Sequence, residues 1–187
     1  MSGADRLFEG DPAPTDCFAE LVNIYTENAI GTPGVERLVP WLGKPGSDDY
    51  LVILCDPRLK STELRQSVKT IWSELASTAP HIFKNLMIVN ADSPAENRRW
   101  IKKNQLSEND ETSDTAVSSS WRGVYSDEKM EWMRAYTALG DKRWSMTVFV
   151  IANGRVEKLA REVDIYGVSR TIQKAVQAYQ SEKDKRL

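Results

Sequence analysis

Two uninterrupted apolar runs organise the middle of the chain. Tyr50-Leu51-Val52-Ile53-Leu54-Cys55 lies between Asp48-Asp49 and Asp56-Pro57, and Leu86-Met87-Ile88-Val89 follows later. Short runs without polar alternates fit strands covered on both faces. Between them Leu64, Val68, Ile71, Trp72 and Leu75 recur at helical spacing, behind Ser61 or Thr62 as a cap and ahead of Pro80. Strand, crossover helix and strand predict a parallel pair with a right-handed connection. Ser93-Pro94-Ala95-Glu96 combines a capping serine, a proline at the first helical position and a glutamate three residues beyond the cap, which starts a helix running to about Asn104. Ser126-Asp127-Glu128-Lys129 predicts another helix, bearing Met130, Met133, Ala135, Tyr136 and Leu139 and closed by Gly140. Met146 to Ile151 and Arg155 to Leu159 flank Asn153-Gly154, a hairpin signal that pairs them antiparallel. A final helix is expected from Asp164 to about Ser181, with Ile165, Val168, Ile172, Ala175, Val176 and Tyr179 apolar, and the charged tail behind it frays.

The patterning is different at the start. Residues 1–46 hold six of the ten glycines and five of the eight prolines, a composition that wraps rather than packs regularly. Inside that stretch, Thr15 or Asp16 can cap a helix carrying Phe18, Leu21, Val22 and Tyr25 that ends before Gly31, and Val35, Leu38, Val39, Trp41 and Leu42 form a shorter apolar cluster. Residues 107–120 are almost entirely Ser, Thr, Asp, Glu and Asn. The expected organisation is an N-terminal extension over 1–46 packing on the core, a domain over 47–181, a flexible loop insertion at 107–120 and a charged tail at 182–187. The element order predicts an α/β fold with a four-stranded mixed central sheet flanked by helices, the thioredoxin-like arrangement. A flavodoxin-like sheet competes with it, but needs another parallel strand where the hairpin stands.

Composition narrows the function classes without choosing one. At 187 residues, with 41% apolar and 28% charged positions, the chain suits one compact domain. The 25 Lys+Arg against 27 Asp+Glu argue against nucleic acid as the partner, because phosphate binding draws on a net basic surface. No run is long enough for membrane insertion and no signal segment opens the chain, so a cytoplasmic location is expected. Cys17 and Cys55 can build neither a disulfide scaffold nor a zinc finger, and no phosphate-cradling glycine loop occurs, so neither a metal nor a cofactor is expected. The single histidine, His81, has no partner at metal or triad spacing and reads as a turn or cap residue; Asp48, Asp49 and Asp56 read as solvated turn residues. Trp72, Trp100, Trp132 and Trp144 fall mostly at core spacing or next to it, and the Trp41, Trp121 and Trp144 regions are candidate contact surfaces for a protein partner or a homodimer.

Several segments, in order along the chain, resemble peroxiredoxins. Gly10-Asp11-Pro12-Ala13-Pro14 is similar to that family's opening, Gly43-Lys44 to its glycine-lysine turn, and Tyr50 to Pro57 to the strand that leads into its peroxidatic loop. Ser61-Thr62-Glu63-Leu64 resembles the helix start where the family commonly reads Cys-Thr-x-Glu-Leu. Asn90 to Pro94 with Asn97, Arg98 and Trp100, Tyr125-Ser126-Asp127 with Arg134-Ala135-Tyr136, and Val148 to Val156 resemble the remaining strands and helices. No proline directly precedes Thr147, where thioredoxins proper place one, which favours the peroxiredoxin branch.

The resemblance implies a site made from Pro57, Ser61, Thr62, Glu63 and Arg143, where the family screens and orients a peroxide, but the interval from Pro57 to Glu63 contains no cysteine. Ser61 or Lys60 takes the reactive position. A serine hydroxyl cannot replace the thiolate, because peroxide reduction passes through a sulfenic acid. The expectation is a vestigial site in a redox-inactive domain that binds, assembles or regulates. The alternative is a divergent thiol peroxidase or oxidoreductase in which Cys55 is catalytic and Cys17 resolves. Cys55 closes a buried apolar strand, where free cysteine is usually an inert small hydrophobe.

Overall fold

The computed structural model describes residues 6–24, 50–106, 121, 123–139 and 146–186. A 3-10 turn at Asp16–Glu20 leads into strand β1 (Val22–Asn23). Strand β2 (Leu51–Asp56), helix α1 (Thr62–Thr78), a single turn α2 (Pro80–Phe83) and strand β3 (Leu86–Asn90) follow. Helix α3 (Pro94–Lys103), strand β4 (Gly123–Ser126) and the short helix α4 (Glu131–Ala135) come next. Strands β5 (Met146–Ala152) and β6 (Arg155–Val163) and helix α5 (Val168–Arg186) complete the chain.

The strands form one mixed sheet in the order β1-β4-β3-β2-β5-β6. β2, β3 and β4 run parallel, while β5 pairs antiparallel with β2 and β6, and β1 antiparallel with β4. The hairpin turn at Asn153-Gly154 has φ of 55° and 71°, the left-handed pair that lets a two-residue turn follow the twist of its strands. Alternation along the central strands divides the core in two. Val52, Leu54, Ile88, Val148 and Val150 pack under α1, α3 and α5. On the opposite face Leu51, Ile53, Cys55, Met87, Val89 and Phe149 meet Phe18, Trp132 and Tyr136. There Trp132 stacks on Tyr136 at 4.2 Å between ring centroids, and Phe18 stands edge-on to both. The N-terminal segment lies along the start of β6, where Gly10 N–H donates to Val156 O, Val156 N–H to Asp11 O and Ala13 N–H to Gly154 O. An otherwise open sheet edge is thereby covered.

Several expectations need correction. The sheet has six strands rather than four, because β4 and β1 extend it beyond β3. The helix expected from Thr15 or Asp16 is a 3-10 turn followed by β1: Phe18 and Leu21 are buried, but Val22 pairs with Ser126 in the sheet. The helix expected at Ser126 starts only at Glu131, because Ser126 ends a strand and Met130 is left-handed at φ 55°. The last helix begins at Val168, later than expected, and continues to Arg186, so the charged tail is helical and carries a Lys158–Glu182 ion pair at 2.6 Å. Trp121 is no contact surface: it is buried, stacked on Phe83 and edge-on to Trp72. Asp56, read as a solvated turn residue, is fully buried. Tyr25, the Val35–Leu42 cluster with Trp41, the Gly43-Lys44 turn, the 107–120 loop, Arg143 and Trp144 lie outside the described residues.

Candidate functional site

The site begins where β2 stops. Asp56 is its last residue, and Pro57 ends the ladder by withholding an amide. The buried Asp56 carboxylate then organises the whole turn. Its Oδ1 accepts from the Arg58 amide at 2.9 Å and Arg58 Nε at 3.0 Å, and its Oδ2 from Arg58 Nη2 at 2.8 Å and Ser61 Oγ at 2.7 Å. Ser61 Oγ in turn accepts the Leu64 amide at 3.2 Å, which caps α1. The Arg58 guanidinium also reaches Glu63 at 3.2 Å. Its bonds to Asp56, with Glu63 behind them, hold it charged beyond its ordinary range against a smaller opposing effect of burial.

A second buried carboxylate closes the neighbouring side. Asp92 Oδ1 accepts the Lys60 amide at 2.7 Å, fixing Lys60 at φ 49°. Arg65 Nη2 bridges Asp92 Oδ2 at 3.3 Å and Glu96 Oε1 at 3.2 Å, and its guanidinium lies 5.8 Å from the Trp100 ring centroid. Below it Asn97 joins Asn90 and Ser126 and accepts from the Trp100 indole. The mouth of α1 is thus a network of carboxylates, guanidinia, amides and a hydroxyl, in which the buried Arg65 Nε has no hydrogen-bond partner among the described residues. Ser61 Oγ, donating to Asp56 and accepting the Leu64 amide, is held as the cap that ties α1 to the end of β2.

Of the residues singled out from sequence, Pro57, Ser61, Thr62 and Glu63 lie together here, Pro57 and Ser61 buried, Thr62 and Glu63 exposed. Cys55 does not join them. It precedes Asp56 on a pleated strand, so its side chain points to the opposite face of the sheet, among Phe149, Tyr125 and Met87. It is fully buried, its Sγ lies 3.6 Å from Thr147 O, and burial above all, then the adjacent Asp56, pushes its thiol far up. Cys17 is half-buried at the border of that same aromatic cluster, with its thiol pushed up to about 12, first by burial and then by Asp127 and Asp16. Both cysteines are free thiols. Sequence reasoning missed Asp56, Arg58, Arg65, Asp92 and Glu96. The available signal was an aspartate and an arginine two residues apart around a proline, at the end of a buried strand. Among the described residues no group of His, Cys, Asp and Glu could hold a metal ion, and no helix is long and apolar enough to cross a membrane.

No protein-family model and no curated protein matches the chain. Solved structures do resemble it. A peroxiredoxin Q of Xanthomonas campestris superposes with a TM-score of 0.54 at 16% identity, over 71% of this chain and 80% of that one. PrxQ of Xylella fastidiosa gives 0.55 at 14% identity, over 72% and 79%. Prx3 of Vibrio vulnificus, solved reduced and in complex with hydrogen peroxide, gives 0.54 at 13% identity over 89% of this chain and 99% of that one. The chain has the peroxiredoxin fold. That fold sets the β2 end and the α1 start side by side, and here the peroxiredoxin scaffold carries Asp56, Arg58 and Ser61 at that junction.

Proposed function

We propose that the chain is a redox-inactive peroxiredoxin-like domain that works as a binding, assembly or regulatory protein in the cytoplasm. In this reading residues 1–46 extend a domain over 47–181, and the partner is a protein or a second copy of the chain rather than a nucleic acid. One observation carries the proposal: the start of α1 holds a serine bonded at 2.7 Å to a buried aspartate, while the nearest thiol, on Cys55, faces away on the other side of the sheet. Peroxide reduction needs an accessible thiolate near neutral pH, and burial works against that ionisation at both cysteines.

The test is turnover of hydroperoxide with a dithiol reductant, combined with intact-mass measurement after exposure to micromolar peroxide. Turnover no faster than that of free cysteine and two unmodified thiols are expected. Sulfenic acid at Cys55, or turnover that disappears in Cys55→Ser, would overturn the proposal in favour of a thiol peroxidase with Cys17 resolving.

A further inference from the structure

Residues 7–14 form a strap across the start of β6, and both of its ends are tied to the residues that follow α4. At one end Leu7 N–H donates to Thr137 Oγ1 at 3.0 Å. Arg161 of β6 clasps the same pair, donating to Thr137 O at 2.7 Å, to Thr137 Oγ1 at 2.9 Å and to Leu7 O at 3.1 Å. At the other end Tyr136 Oη donates to Pro14 O at 2.6 Å. Between these ties Gly10 N–H donates to Val156 O, Val156 N–H to Asp11 O and Ala13 N–H to Gly154 O, and Glu9 Oε1 accepts the Leu159 amide. The strap therefore bridges β6 and the end of α4 at the border of the aromatic cluster, to which Leu7 and Ala13 belong.

Two features leave this closure poised. Phe8, Glu9, Gly10 and Pro12 are exposed, Leu7 is half-buried and only Ala13 is buried, so little apolar area holds the strap down and hydrogen bonds do most of the holding. Thr137 has φ 49°, a left-handed backbone that a β-branched residue keeps only where its surroundings impose it, and here the bonds from Arg161 and Leu7 do so. Both thiols stand behind the strap. Cys17 follows it by three residues, half-buried at the cluster border with its Sγ 3.8 Å from Pro14 O. Cys55 is buried in the same cluster. Burial and the adjacent Asp56 push its thiol up, and Arg161 is the largest influence in the other direction, which puts the clasping guanidinium within electrostatic reach of that sulfur. We infer that residues 7–13 open as a unit and govern access to the Cys17 thiol, with Arg161 and Thr137 as the clasp.

The inference goes beyond the binding role proposed above and does not depend on it, because it concerns access to a thiol and not its oxidation. Its test is amide hydrogen exchange of the full chain, together with the rate of alkylation by N-ethylmaleimide at one fixed pH, read by intact mass and peptide mapping. In the unaltered chain the Gly10, Ala13 and Val156 amides should exchange with a common protection, well ahead of the amides of β2 and β3. Thr137→Val keeps the shape and removes the Oγ1 acceptor, so it should speed both those three amides and alkylation of Cys17 by about fivefold, the worth of one ordinary hydrogen bond. Arg161→Gln removes a charged donor and should speed them by about tenfold or more. Thr137→Ser, which keeps the hydroxyl, and Phe8→Ser, on the outer side of the strap, should keep the original rates. Cys17 alkylation unchanged in both Thr137→Val and Arg161→Gln, or strap amides exchanging at unrelated rates, would overturn the inference. So would an acceleration shared equally by the β2 and β3 amides, which marks unfolding of the whole domain. Peroxide turnover has no part in these readouts, so the redox-inactive reading stands or falls separately.

Discussion

Helices α1 and α3 start from serines whose hydroxyls each accept the third amide of the helix at 3.2 Å, and a buried aspartate lies close to each start, Asp56 at Ser61 and Asp92 at Ser93. Their surroundings differ. Ser93 is half-buried and is followed by Pro94 and Glu96, and Glu96 turns outward to Arg65 and Arg99. Ser61 is buried and donates its proton to Asp56, so the end of β2, the turn and the start of α1 are locked into one unit. The same capping device satisfies helix amides in both places. At α3 it finishes a helix, whereas at α1 it also ties the helix start to the end of β2.

The largest effect expected from this difference comes from Asp56→Ala. It removes the acceptor of Ser61 and the counter-charge of Arg58, and because Arg58 is partly exposed its guanidinium can rehydrate. A loss of about 2–3 kcal/mol in urea unfolding is expected, below the roughly 3–5 kcal/mol of breaking a fully buried ion pair. A loss under about 0.5 kcal/mol, within the range of ordinary surface substitutions, would mean that the turn is not locked by this carboxylate. Next come the caps themselves. Ser93→Ala should cost about 1 kcal/mol, and Ser61→Ala about 2 kcal/mol, because it also strips a hydrogen bond from a buried carboxylate. Equal losses at the two serines would erase the distinction between these helix starts.

Sequence patterning made the covered parallel core legible. β2 and β3 appear as unbroken apolar runs, the caps Ser61 and Ser93 stand where expected, and Asn153-Gly154 marks the hairpin. The other face was far less legible, for physical reasons. β4 has four residues starting at a glycine, and β1 has two, so neither repeats long enough to show a period. Phe18 and Leu21 suggested a helix, but the next residue, Val22, pairs with Ser126, and this tertiary bond overrides local propensity. Asp127 looked like part of a helix start, yet it caps α4 from a distance, accepting the Trp132 and Met133 amides. At the site, Ser61, Thr62 and Glu63 could be placed from sequence. Asp56 could not, because an aspartate between a strand and a proline normally reads as solvated, and only its arginine and serine partners make burial tolerable.

The smallest structural change is the most pointed one. Ser61→Cys puts sulfur at the helix start with little change in volume, and because a thiol is the weaker donor and acceptor, it should lose part of the roughly 2 kcal/mol expected for Ser61→Ala. The α1 amides and Arg58 would favour a thiolate there. Two effects oppose them. The position is buried, and Asp56 Oδ2 stands at the place where the serine proton is now donated, at 2.7 Å, so a thiol there keeps its proton by donating it to the carboxylate. Ser61→Cys alone is therefore expected to react with iodoacetamide at pH 7 no faster than free cysteine. Adding Asp56→Asn removes the like charge, and alkylation should speed up by about tenfold or more, a change that corresponds to roughly one pKa unit. Rapid alkylation of the single variant would show that the aspartate does not hold the position closed. Slow alkylation of both would place the block in burial alone, and the contrast between α1 and α3 would then come from depth rather than from charge.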